Sequence, residues 1–208
     1  MMKQNSIELK ISLFLLAQLL WSCFQSDYTK LVKSELAKGV REDSILLGIQ
    51  FGDTREIFFN KCMELNRHKL ATQGPSGLRV QYLFTDSTIH KVPTEIKLLF
   101  SPDFDDKNII SEMNLEFSYT GWAPWNRHLQ ADSLEPKLLK IVNIWYKGNE
   151  FIIADIGGSK IPVKLDANRR LMLKKLDEQT VLVKVQDILH PRFRHSISIK
   201  KNDNMKTN

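Results

Sequence analysis

Three segments in the middle of the chain alternate apolar and polar residues with the two-residue period of a half-buried strand. Leu78, Val80, Tyr82 and Phe84 alternate with Arg79 and Gln81; Ile96, Leu98 and Phe100 flank Lys97; Met113, Leu115, Phe117 and Tyr119 alternate with Asn114, Glu116 and Ser118. The third is the most regular. Ahead of them an apolar run covers 45–51, and Phe58, Cys62 and Leu65 then recur at helical spacing. Ile57, Phe59 and Met63 widen that surface, so a helix opening at Gly52-Asp53 should lie against a sheet, with Cys62 buried as a small hydrophobe. Asp53 is placed to cap this helix, Glu56 stands at capping-box spacing, and Gly74-Pro75-Ser76-Gly77 ends it.

The second half repeats the order. Asp132 and Ser133 offer caps, Pro136 suits a first turn, and Leu134, Leu138, Ile141 and Trp145 line one helical face until Gly148. Strands over 151–156 and 160–165 flank the hairpin signal Gly157-Gly158, and two more follow at 170–176 and 180–188. The pattern is α+β, with helices packed on antiparallel sheet in the order α-β-β-β-α-β-β-β-β. It suggests two similar units, 45–121 and 122–189, joined as one continuous sheet or as two small domains. No residue-by-residue repeat accompanies the repeated order.

The first residues read differently. An apolar stretch over 11–24 follows the basic Lys3 and Lys10 and closes on Leu20-Trp21-Ser22-Cys23. It is shorter than the roughly 20 residues that a membrane-spanning helix needs and matches the apolar region of an export signal. Leu20 is bulky where ordinary signal cleavage wants a small side chain. Leu20-Trp21-Ser22-Cys23 resembles the lipobox of bacterial lipoproteins. That resemblance implies a signal peptide over 1–22, a diacylglycerol on the Cys23 sulfur, cleavage ahead of it and acylation of the new amine. It also implies an outer-membrane destination, since Phe24 rather than aspartate follows the cysteine. Residues 23–44 would then be anchor and tether, with 26–38 as a polar linker or short helix ended by Gly39. Alternatively, Cys23 and Cys62 form a disulfide in a soluble secreted protein.

The formal charge is +6; loss of Lys3, Lys10 and Glu8 with the leader leaves +5. A basic tail, 190–208, carries His190, Arg192, Arg194, His195, Lys200 and Lys201, backed by Arg169-Arg170 and Lys174-Lys175. Outside the inner membrane the available polyanions are lipid headgroups, lipopolysaccharide and acidic glycans, so no nucleic-acid partner is expected. The bland alternative is a solvated end.

Candidate chemistry is sparse. Asp103, Asp105, Asp106 and Asn108 are rich in oxygen, but Lys107 and Asn114 occupy ligand positions of the calcium-loop template and no central glycine is present, so a solvated turn is expected. Histidines 68, 90, 128, 190 and 195 lack the close helical pairing of zinc enzymes. No serine sits in a nucleophile elbow, and Ser159-Lys160 after Gly157-Gly158 lacks the spacing of a phosphate loop. No catalytic residue, metal or cofactor is therefore expected. Trp122-Ala123-Pro124-Trp125 with Arg127 offers two indoles and a guanidinium on a stiffened loop, the residue types that dominate interface hot spots. They form a partner-binding patch, unless both rings plug the end of the core. The expected role is a non-catalytic binding or assembly accessory of an envelope protein complex, held to the membrane by its lipid. The alternatives are an envelope enzyme or glycan-binding protein, and a cytosolic nucleic-acid binder.

Overall fold

The computed structural model describes residues 26–77, 79–86 and 94–193. Helix α1 (Asp27–Ala37) leads into a small hairpin of β1 (Ser44–Leu46) and β2 (Ile49–Gln50). Helix α2 (Arg55–Arg67) precedes β3 (Ala71–Gln73), β4 (Val80–Asp86), β5 (Thr94–Phe104) and β6 (Ile110–Tyr119). A 3-10 turn (Arg127–Leu129) and helix α3 (Ala131–Trp145) then precede β7 (Ile152–Ile156), β8 (Ser159–Asp166), β9 (Arg169–Lys175) and β10 (Val181–Asp187).

Strands β3 to β10 form one antiparallel sheet in the order β3-β4-β5-β6-β10-β9-β8-β7. The fold is α+β, with α2, three strands, α3 and four strands in the expected order; β3 is an addition. Each half is a helix followed by an antiparallel meander, and the two meanders meet through their last strands, β6 and β10. Residues 45–121 and 122–189 therefore share a sheet and an apolar core.

Cross-strand register sorts the side chains onto two faces. On one, Leu98 opposes Phe117, Phe117 opposes Val181, and Val183 opposes Leu173; all are fully buried. Leu134, Leu138, Ile141 and Val142 of α3 cover this face, with Phe58 of α2 and Ile45, Ile49 and Phe51 around the first hairpin. On the other face, α1 lies over β7 and β8 at one end, packing Tyr28 and Val32 against Ala154, Val163, Leu165 and Ile188. Residues 26–38 are thus part of the folded body rather than a tether that lifts it.

Several local expectations change. Thr54, not Asp53, caps α2: its side chain accepts from the Ile57 N–H at 3.3 Å. Asp53 instead accepts from the Gln50 N–H and from Lys61 Nζ, bracing the hairpin against the helix. Only Phe58 of α2 is fully buried; Ile57, Phe59 and Met63 are exposed. The helix lies near the short edge strand β3, so one narrow stripe meets the sheet. Cys62 is half-buried and free among the described residues, which do not include Cys23; burial pushes its thiol up to about 11. Helix α3 starts at Ala131, whose N–H donates to the Glu178 carbonyl, with no side-chain cap from Asp132 or Ser133. Pro136 consequently stands beyond the first turn. Gly157 and Gly158 both take positive φ, 63° and 83°, in the two-residue turn joining β7 and β8.

Candidate functional site

The loop between β6 and α3 is held from within. The Asn126 N–H donates to the Ala123 carbonyl at 2.9 Å, Gln130 Nε2 donates to the Pro124 carbonyl at 2.9 Å, and Ser133 Oγ donates to the His128 carbonyl at 2.7 Å. This frame separates the two indoles. Trp122 is half-buried, with its Nε1 enclosed and without a hydrogen-bond partner among the described residues, whereas Trp125 is 85 % exposed. Arg127 is also exposed on the following 3-10 turn and makes no ion pair among the described residues. An exposed indole of this size on an ordered turn presents a large apolar plate to a partner at little entropic cost, because few torsions remain free.

A second polar centre surrounds the C-terminal end of α1. A crevice of about 500 Å³ is lined by Glu35, Lys38, Tyr146, Asn149, Asp166 and Arg169, among others. Glu35 is 3 % exposed. Its carboxylate accepts from the Ala167 N–H at 3.0 Å, from Asn149 Nδ2 at 2.7 Å and from Lys38 Nζ at 2.5 Å. Burial pushes this carboxyl upward, but those three donors outweigh it and hold Glu35 below the usual carboxylate range. Asp166 accepts from the Asn149 N–H at 2.7 Å and faces Lys164 Nζ at 3.4 Å; Lys164 donates to the Asn149 carbonyl. Arg169 stacks over Tyr146 at 4.8 Å, and the Tyr146 hydroxyl donates to the Ile45 carbonyl at 2.6 Å. Gly148 passes so close that a Cβ there would stand 2.2 Å from Asp166 Oδ1. Most of these bonds join α1, the end of α3 and the β8–β9 turn, while Asp166 Oδ2 and Arg169 Nε are buried without a hydrogen-bond partner among the described residues.

A third polar feature crosses the sheet on the face opposite α3. Asp103, Glu112, Gln186 and Arg170 are successive register partners on β5, β6, β10 and β9. Arg170 donates through Nε to Gln186 Oε1 at 3.0 Å and through Nη1 to the Tyr28 hydroxyl at 2.8 Å; Gln186 Nε2 donates to Glu112, which also receives Lys184 Nζ at 2.7 Å. Arg192 reaches Asp103 at 2.9 Å, and His190 reaches Asp105 at 3.1 Å.

These pairings revise the basic surface expected from sequence. Arg169 and Arg170 are buried, and His190 and Arg192 are occupied by the acidic turn. That turn is closed by its own backbone: Asp105 Oδ1 accepts from the N–H groups of Lys107 and Ile109, and no metal-binding cluster occurs among the described residues. Hydrogen bonding from the Ile109 N–H, against a smaller burial effect, holds Asp105 below the usual range, with His190 adding to it. Cys23 and the tail beyond Phe193 lie outside the described residues. The buried polar row and the crevice escaped sequence reasoning. Their one trace there is the density of charge in Lys164, Asp166, Arg169 and Arg170 between apolar strand residues.

The chain matches no known family model, no curated protein and no solved structure.

Proposed function

We propose that this chain is a lipid-anchored protein of the bacterial envelope, acylated at Cys23 and held at the outer membrane, whose α+β body acts by binding within an envelope protein complex. The address rests on Leu20-Trp21-Ser22-Cys23 behind a basic start and an apolar run. The observation that carries the binding role is Trp125, an indole 85 % exposed on an internally bonded loop beside the exposed Arg127. Leaving so large an apolar side chain in water forfeits about 2 kcal/mol of burial, so a surface indole on a rigid frame is a natural partner contact. Trp122 serves as the root of the loop rather than as its contact. The crevice around Glu35 and Asp166 is given no catalytic role in this reading, since Glu35 is held by three donors and Asp166 Oδ1 by the Asn149 N–H.

Two measurements test this. Intact mass of the native protein is expected to show cleavage ahead of Cys23 and added acyl mass, and Cys23→Ser is expected to move the protein out of the membrane fraction. A product beginning at Met1 without lipid mass overturns the address. Crosslinking in the native envelope is expected to capture a protein neighbour that Trp125→Ala loses. An unchanged capture pattern removes Trp125 from the contact.

A further inference from the structure

We infer that the sheet face opposite α3 is seated on the bilayer that holds the acyl chains, with anionic lipid headgroups as its occupant. This rests on the Cys23 anchor of the preceding section and adds an orientation to it.

The first argument is chain length. Only two residues, Phe24 and Gln25, separate Cys23 from Ser26, the N-cap of α1, so three Cα-to-Cα steps limit the anchor to a reach of about 11 Å from that cap. The cap sits on the α1 side of the sheet. Tyr28, two residues on, takes a hydrogen bond from Arg170 on β9, and Glu35 at the far end of the helix reaches Ala167 and Asn149. The helix therefore begins towards the sheet interior and ends near the β7 edge. An anchor this short cannot reach around the sheet to the α3 side, so the face carrying α1 turns to the bilayer. The chain also leaves the described residues, after Phe193, beside the Asp103–Arg192 pair of the same polar row, and the residues that follow include Arg194, Lys200, Lys201 and Lys206.

The second argument is charge. Beyond α1, no helix covers β4, β5, β6 and β10 on this side among the described residues. Register places Leu83, Lys97, Leu99, Glu116, Leu182, Lys184, Met172 and Lys174 there. Glu112 and Glu116 are neutralised by Lys184 at 2.7 Å and Arg79 at 3.1 Å, whereas Glu95, exposed two residues before Lys97 on the same face, has no basic partner among the described residues. Lys97 and Lys174 have no acidic partner among the described residues, nor does Lys33 on the outward side of α1. A flat leaflet would rest on α1 through Lys30 and Lys33 and on the far strands through Leu83 and Lys97, with Lys174 between them. Lysine stems lie on apolar surface while their ammonium groups meet phosphate, which suits a face of leucine, methionine and unpaired lysine.

The test uses the acylated chain reconstituted in vesicles, with and without phosphatidylglycerol, and compared with the same protein in non-ionic detergent. Amine labelling is read residue by residue by mass spectrometry. Lys33, Lys97 and Lys174 are expected to label on the order of fivefold more slowly on anionic vesicles than in detergent. Lys140 and Lys147, which belong to α3 and its C-terminal end, are expected to label alike in both. Added salt is expected to restore labelling. In the double variant Lys97→Glu, Lys174→Glu the acyl chains keep the protein on the vesicle, but Lys33 is expected to lose its protection while thermal unfolding is unchanged. Equal labelling of all five lysines on anionic vesicles and in detergent, or full protection in the double variant, overturns the orientation. Failure of the anchor is distinguishable, because it appears first as absent acyl mass.

Discussion

Glu35 shows how a single side chain can decide whether an element belongs to the body. Its carboxylate fastens α1 to the Ala167 N–H and to Asn149, and its donors lower its pKa below the ordinary 4.5. The stabilisation this contributes is therefore complete above about pH 4.5 and is lost as pH falls through the lower, folded value. Glu35→Gln is expected to destabilise the protein by about 1–3 kcal/mol at pH 7, since Gln meets the Asn149 and Lys38 donors with an amide. Melting curves at pH 7 and pH 3 check this, and the gap between variant and wild type is expected to narrow in acid. Gly148→Ala is expected to lower stability by more than about 2 kcal/mol: its φ of 134° and the 2.2 Å approach to Asp166 Oδ1 leave no room for a methyl group. Thiol reagents at pH 8 are expected to modify Cys62 slowly, because a thiol at about 11 is thiolate to roughly one part in a thousand there. None of this is readable from spacing. A glutamate on a polar helix and a glycine after a helix look ordinary until tertiary contact brings N–H donors to the one and the Asp166 carboxylate against the other.

Among the elements, those whose apolar residues all meet the core were legible, and those that use only part of their pattern were not. Strand β6 alternates cleanly because one face meets α3 and the other is polar, and Leu134, Leu138 and Ile141 mark the inner stripe of α3 without ambiguity. Helix α2 misleads because Ile57, Phe58 and Phe59 are consecutive, and a helix cannot turn three neighbours to one side. Phe58→Ala is expected to cost about 3–5 kcal/mol and Phe59→Ala much less, a contrast that chemical denaturation resolves. The short strand β3 has no alternation to show, and α1 hid its docking because its inward positions mix Tyr28, Thr29 and Glu35 with Val32. The tryptophan loop was legible as a candidate, but only the fold separates its rings. Trp125→Ala is expected to change stability by no more than about 0.5 kcal/mol, and Trp122→Ala by considerably more, as measured by thermal unfolding.

At the scale of the whole molecule, the repeated helix-and-meander order was visible in sequence, whereas the join was not. Pairing of β6 with β10 makes one sheet with a shared core, so the halves are expected to unfold in a single transition seen alike by circular dichroism and tryptophan fluorescence. Two separate transitions would show that the halves are independent. Sequence left this open because strand pairing across such a distance leaves no local signature. The position of β10 also has a bearing on timing. Among the described strands the latest in sequence, β10, fills the middle of the sheet between β6 and β9, so a nascent chain lacking it has two incomplete half-sheets and an open interior. A polypeptide built in this order stays loose until β10 has emerged, which is the state that the export proposed above requires.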